Sequence, residues 1–308
     1  MFKKNLKTVK LFSGSIIQAG EIKKTAKQIN DFYDGSPFPN YDDLESIQDL
    51  NKKLENNEFT YNFKRLIGFG NKIIEVGSGT SQLSISLASG TNNKVVAFDP
   101  TLASLRLGAN FCSKYKINNC TFVNGDLFDN PFEENYFNIV WCSGVLHHTG
   151  DPKKGFETII TWLKPEGYVV IGLYNRYGRM RTVFRQKLFR LLSGGKNAKN
   201  IVSFLDPVLR KIKSNKKKIA WFRDQYQHPI ESLHTLDEVL EWFDENNIEF
   251  ISSIPSGESK NFGYEEMFNK QSTGSFFSRL ISQLNMLISP LGSEGGLFIV
   301  IGKKKGNY

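Results

Sequence analysis

Hydrophobic and polar positions change rhythm three times along this chain. Residues 1–66 are polar and broken, with a helix-like stretch at Ile16–Phe32 and further helices expected at Leu44–Leu54 and near Tyr61–Gly68. Between them, the prolines of SPFPNYDD (Ser36–Asp43) flank an aromatic and stiffen an extended segment. From Lys72, short apolar runs alternate with amphipathic ones. KIIEVGSGT is a buried strand entering a glycine turn, with a helix at SQLSISLAS; KVVAFDP (Lys94–Pro100) and the helix Leu102–Tyr115 repeat the pattern. CTFVNGD is a third strand ending near Asp126, NIVWCSGVLHH (Asn138–His148) a fourth, and YVVIGLYN (Tyr168–Asn175) a fifth after the helix FETIITWLKPEG. The alternation stops for residues 176–233. It resumes with a helix at Thr235–Asn247, where Thr235 can cap and Glu238 sits three residues on. EFISSIP (Glu249–Pro255) and GLFIVIG (Gly296–Gly302) bring the strands to seven.

This spacing predicts an α/β fold: a Rossmann-like seven-stranded sheet, largely parallel with right-handed crossovers, helices on both faces, and a helical cap insertion. The expected organisation is an N-terminal helical segment (1–66), a ligand-binding core (67–175), the cap (176–233) and the C-terminal part of the core (234–308). Residues 256–295 are Ser/Gly-rich with room for one helix.

Charge adds an asymmetry that the pattern does not show. The net charge is +9 over 308 residues, yet Arg176–Arg223 holds 15 Lys/Arg against one acid, Asp206. That stretch therefore carries +14 and the remainder about −5. Such a segment suits an anionic partner such as a phosphate, a lipid headgroup or nucleic acid; a solvated helical face is the plainer reading. No run approaches the ~18–20 apolar residues of a membrane span. The lysine-rich start runs into LFSGSIIQAGE, too polar for a signal-peptide core. The expected location is cytoplasmic. Cys112, Cys120 and Cys142 fit neither a disulfide framework nor metal spacing, and read as buried small hydrophobes.

The candidate chemistry begins at Glu75–Ser81. Gly77 and Gly79 let the backbone turn sharply around Ser78 and approach a ligand, at the positive start of the next helix. A dinucleotide fingerprint requires a third glycine where Gln82 stands, so the turn fits a nucleoside with a carboxylate tail better than a pyrophosphate. Asp99, about 20 residues on at the end of the second strand, is placed to accept from both ribose hydroxyls. Asp126 is placed to accept from an adenine amino group, with Leu127 packing beside the ring. Turn chemistry is the competing use of both acids.

In order, GSGT, FDP, NGDLFD, YFNIVWCSGVLHHTGDP and LKPEGYVVIGLYN resemble the class I methyltransferases of the type 11 group, which includes the ubiquinone-biosynthesis methyltransferases. The likeness covers residues 70–175 well and the final helix–strand–strand piece more loosely. It implies S-adenosylmethionine as cofactor and a seven-stranded sheet whose last strand is antiparallel. It further implies that Glu75, Gly77 and Gly79 form the methionine-side loop, with Asp99 at the ribose and Asp126 at the adenine. The family often has a third glycine where this chain has Ser81, a departure expected only to tighten the turn. SPFPNYDD, IGLYNRYGR and DQYQHPIESLHT also resemble a bacterial subgroup of uncharacterised methyltransferases.

Methyl transfer is an in-line displacement in a dry site, and a base is needed only if the acceptor must lose a proton. Adjacent histidines in an extended stretch point to opposite sides, so at most one of His147 and His148 faces the ligand. His148 is the expected catalytic base; His147, Tyr174 and Asn175 are candidate acceptor contacts. No Asp, Glu or Cys at ligand spacing accompanies the histidines, so no metal is expected. In the cap, Phe184, Leu188, Leu191 and Leu192 share a stripe, with Arg181, Arg185, Lys187 and Arg190 largely elsewhere. Either these helices pack on the core with a wet basic face, or they rest on an anionic membrane through 176–223 and admit a lipid-like acceptor.

The expected function is methylation of a small-molecule or lipid-like acceptor. An RNA methyltransferase could use the basic cap, though the aromatics form no RNA-reading motif. A nicotinamide-dependent oxidoreductase shares the turn and the acid, and a non-catalytic binding module would keep the pocket alone.

Overall fold

A computed structural model describes the chain except for residues 5–8, 13–14, 24–26, 29, 33–45, 193–195, 259–262, 290–295 and 307–308. SPFPNYDD lies outside the described residues. Strands β1 (Val9–Phe12) and β2 (Ile16–Ala19) are followed by helices α1 (Ile47–Glu55) and α2 (Glu58–Ile67). The alternating part comprises β3 (Lys72–Val76), α3 (Gln82–Ala88), β4 (Lys94–Asp99), α4 (Leu102–Tyr115), β5 (Cys120–Gly125), β6 (Phe137–Ser143), α5 (Pro152–Thr161) and β7 (Leu163–Tyr174). The cap holds α6 (Met180–Leu191), α7 (Lys196–Leu205), α8 (Pro207–Lys211) and α9 (Asn215–Gln227). The chain returns through α10 (Leu236–Glu245), β8 (Ile248–Ile254), α11 (Phe276–Asn285) and β9 (Leu297–Lys304).

All these strands form one sheet in the order β1-β2-β5-β4-β3-β6-β7-β9-β8. The block from β5 to β7 is parallel, and β9 inserts antiparallel between β7 and β8. The expected seven strands with a reversed last strand are β3 to β9; among the described residues the sheet has nine because the N-terminal segment adds two. A helix had been expected from Ile16, but Ile16–Ala19 pairs in parallel with Phe122–Gly125 and continues the sheet. The open edge of β5 offers unpaired backbone groups, and pairing with them outweighs a short helical pattern. One apolar core lies on each face of the sheet, one around Trp162, Phe156 and Phe243, the other around Phe63, Leu105 and Trp141.

Parallel strands buried on both faces leave their carboxyl ends as the place where loops gather, which is where ligands bind in such sheets. The cap has a small core of its own, built from Phe189, Ala198, Val202, Leu209, Trp221 and Phe222. Asp206, the one acid of the basic stretch, is buried in it. Its carboxylate caps α8 through the Val208 amide and accepts from the Tyr226 hydroxyl at 2.7 Å. The apolar stripe of α6 does not pack on the core as one sequence reading had it. Phe184, Leu191 and Leu192 are all exposed, because α6 turns Phe189 and Thr182 inward instead. Among the described residues no helix is long and apolar enough to cross a membrane.

Candidate functional site

A cavity of about 320 Å³ opens between the carboxyl ends of β3, β4, β5, β6 and β7 and the cap helix α9. Glu75, Gly77, Ser78, Gly79, Asp99, Asp126 and Leu127, the residues expected from the sequence at a nucleoside site, all line it.

The turn after β3 is held by β4. The amides of Gly77 and Ser78 donate to the Phe98 carbonyl at 2.8 and 3.2 Å, and the Gly79 amide donates to Asp99 Oδ2 at 2.8 Å. Gly77 has φ +68, and a Cβ there would stand 2.2 Å from Val145 Cγ2. Only glycine fits. Ser81, which was expected merely to tighten the turn, occupies the left-handed region at φ 65 as the residue before α3. The turn is therefore kept in a conformation that favours glycine, with Ser81 Oγ 3.2 Å from Ser78 Oγ.

The acids of the site are already engaged with backbone. Asp99 accepts from the Gly79 and Thr101 amides, one on each oxygen, and burial raises its pKa above the usual carboxylate range. Glu75 Oε2 accepts from both the amide and the hydroxyl of Ser84, at 2.8 and 2.5 Å. Burial, with Asp99 adding to it, pushes Glu75 up to about 7. Asp126 holds the Phe128 amide on Oδ1 and the Lys23 amide on Oδ2. The N-terminal segment thus packs against the third acid. On Glu75, Oε2 is fully used by Ser84 and Oε1 is the oxygen that faces no such donor, while the oxygens of Asp99 and Asp126 that hold a single amide can each accept again.

The two histidines lie in a short 3-10 turn (Leu146–His148), not an extended stretch, so strand alternation does not separate them. Their rings meet edge-on at 4.2 Å. His148 lines the cavity, while His147 lies behind it, stacked 3.9 Å from the Tyr174 ring and accepting from the Tyr174 amide through Nδ1. Tyr174 lines the cavity; Asn175 does not. Asn175 is fully buried, donates to Gln283 and accepts from the Tyr177 and Gly178 amides, so its side chain builds the turn into the cap rather than meeting an acceptor.

His148 Nδ1 lies 2.8 Å from the Ile230 carbonyl, which can only accept. Nδ1 is therefore the protonated nitrogen, and Nε2 carries the lone pair. Burial holds the His148 pKa below the ordinary imidazole value, against a smaller opposing pull from Asp224. The ring of His228 lies 3.7 Å from that of His148, and burial and then His148 lower its pKa as well.

Sequence reasoning missed the cap's contribution: Trp221, Asp224, Gln225 and His228 of α9 and its end also line the cavity. Their spacing of three, four and seven residues is one face of a helix. A polar and aromatic stripe inside a lysine-rich segment was the available signal. Beneath it lies a buried network, also missed. Arg179 makes a two-pronged contact with Glu231, donates to Gln225 at 2.5 Å and covers the Tyr174 ring. Gln225 in turn donates to the Tyr174 hydroxyl.

The sheet order with its reversed strand β9, and the crevice at the carboxyl edge, define the class of the fold: that of the class I S-adenosylmethionine-dependent methyltransferases. The chain belongs to the methyltransferase domain family, which matches residues 68–247. Over 125 residues it is 30% identical to a demethylmenaquinone methyltransferase of Renibacterium salmoninarum, covering 40% of this chain and 50% of that one. The chain spans about half the length of the curated relatives it matches. PKMT2 from Rickettsia typhi, solved in complex with AdoHcy, shares the fold with a TM-score of 0.58 at 14% identity, over 82% of this chain and 54% of that one. The [4+2]-cyclase SpnF does so with a TM-score of 0.52 at 14% identity, over 93% and 98%. A fold shared with a cyclase leaves the reaction to be argued from the site.

Proposed function

We propose that this protein transfers the methyl group of S-adenosylmethionine to a neutral small-molecule or lipid-like acceptor, bound between His148 and the cap. The observation that carries this reading is the charge of the cavity. Among the described residues lining it are the carboxylates of Glu75, Asp99, Asp126 and Asp224, and none is Lys or Arg. The strongly basic cap puts no cation into the pocket it roofs.

That lining suits a positively charged sulfonium and opposes an anionic acceptor such as a phosphodiester. The glycine turn would receive the methionine end, with Glu75, Gly77, Ser78 and Gly79 closest to it. Asp99 would take the ribose, and Asp126 with Leu127 the adenine. When bound, S-adenosylmethionine supplies an activated methyl carbon: a new bond from the acceptor forms as the carbon–sulfur bond breaks, and that electron pair stays on sulfur. The chain's own residues orient and deprotonate. His148 is neutral, and its Nε2 lone pair can take the proton of a hydroxyl acceptor. Trp221 lines the cavity and offers an aromatic surface to a ring, while Tyr174, held between His147 and Arg179, presents only its edge. The similarity to a demethylmenaquinone methyltransferase supports an aromatic acceptor of the quinol kind.

Titration calorimetry with S-adenosylhomocysteine tests the cofactor reading. Heat is expected with the native protein and much less with Asp99→Ala, with Asp99→Asn in between because an amide oxygen can still accept. No heat with the native protein, or binding of NAD in its place, overturns the proposal.

A further inference from the structure

None of the cap's Lys or Arg side chains is among the described residues lining the cavity, so their charge calls for a partner outside the site, and the outer surface shows what kind. On α6 the exposed positions Met180, Phe184, Lys187 and Leu191 follow each other by four, three and four residues, a straight stripe along a helix. Phe277, Ile281 and Leu284 on α11, with Ile288 in the turn after it, repeat that spacing, and all four are exposed. The start of α6 and the turn that follows α11 come together. Met180, Phe184, Leu205 and Leu287 line one shallow groove together with Arg181 and Arg185, and Gly178, just before α6, abuts Met286 just after α11. The end of α7 adds Phe204 beside Leu205. These are not scattered side chains: Leu191 is 82%, Phe204 71% and Ile288 77% exposed. So many large apolar side chains exposed on α6, α7 and α11 mark an interaction site.

The geometry points to an anionic lipid bilayer as the surface that this face rests on. Charge complementarity selects it. Exposed Arg181 and Arg190 flank the α6 stripe, Lys187 stands within it, exposed Lys199 follows on α7, and the one acid of Arg176–Arg223 is buried in the cap core. Large aliphatic and phenyl groups edged by unopposed cations are the composition of a helix lying in the headgroup region, with apolar groups entering it and cations at the phosphates. RNA would use the cations but leave the leucine and isoleucine side chains without a stacking partner. With no spanning helix among the described residues, the contact is peripheral. In this position α6 and α7 lie on the lipid, while α9 of the same cap lines the cavity.

Vesicle flotation tests this without methyl donor or acceptor, so the result stands apart from the reaction assigned above. The probes are vesicles of phosphatidylcholine alone and of phosphatidylcholine with about one-third phosphatidylglycerol. Binding is expected to the anionic vesicles only and to weaken as salt rises. Phe184→Ser/Leu191→Ser and Phe277→Ser/Ile288→Ser should each cut it about tenfold, as should Lys187→Glu/Arg190→Glu, with the melting temperature and S-adenosylhomocysteine affinity unchanged. Three results overturn the proposal: no binding to anionic vesicles, binding unchanged in all three variants, or a dimer in solution that Phe184→Ser/Leu191→Ser dissociates. Salt-steep binding of single-stranded RNA with no vesicle binding would overturn it in favour of nucleic acid.

Discussion

The guanidinium of Arg179 lies 3.6 Å over the ring of Tyr174, and the same group reaches Glu231 with two nitrogens and Gln225 with a third. Arg179 is fully buried. One side chain thus ties the end of β7 to the end of α9 and to the segment after it. A planar fork is required, since a lysine can supply neither the paired bonds nor the flat contact. Arg179→Leu should destabilise the protein by about 3 kcal/mol or more, because the Glu231 carboxylate is left without its partner. Removing both charges, as Arg179→Leu/Glu231→Leu, should cost less than removing Arg179 alone. Urea unfolding of the three proteins checks both statements.

His148 offers a neutral nitrogen to the cavity, and this gives a kinetic expectation. His148→Gln should lower kcat by roughly 10²–10⁴-fold on a hydroxyl acceptor. S-adenosylhomocysteine affinity should not change. Burial depresses the pKa of His148 from its ordinary 6.5, so kcat at saturating methyl donor should be flat through neutrality and fall only on the acid side of that value. A variant with undiminished kcat would remove His148 from the chemistry.

Glu75 should impose a pH dependence of its own. Its carboxyl titrates at about 7 because it is buried, against ~4.3 in an unfolded chain. The folded state therefore holds the proton more tightly, and stability falls as pH rises from about 4 to about 7, by roughly 3 kcal/mol from this group. Glu75→Gln keeps an oxygen for Ser84 and should flatten that slope in thermal unfolding. Ligand binding runs the other way: a cationic methyl donor favours the carboxylate, so its affinity should rise with pH through about 7, and not in the variant.

Ser81 holds φ 65, where a side chain is strained. Ser81→Gly should raise the melting temperature, by up to about 1 kcal/mol of relieved strain less the contact with Ser78. Ser81→Val, with a branched Cβ, should lower it.

The half of the site made by β3, β4 and β5 was legible because each feature is local. A glycine turn and an acid at a strand end keep their relation whatever the rest of the chain does. The same locality failed at Asn175, where position at a strand end suggested a ligand and the fold supplied Gln283. It failed for His147 and His148 because an apolar run was read one turn too far as strand. Trp221, Asp224 and His228 reach the cavity only when an inserted helix folds back over the sheet, and no local pattern encodes that return. The N-terminal strands were hidden for a similar reason: Ile16 pairs beside Phe122, more than a hundred positions away. Four residues are too few to declare themselves without that neighbour.

The N-terminal pairing also sets an order of events during synthesis. Ile16–Ala19 must wait for β5 to leave the ribosome, Lys23 for Asp126, and Phe32 for Arg223, whose guanidinium donates to the Phe32 carbonyl at 2.7 Å. Contacts so distant in the chain form slowly, and the unmatched early segment stays open to wrong pairings meanwhile. The nascent polypeptide therefore finishes its ligand pocket only after the cap has emerged, since α9 supplies part of the lining.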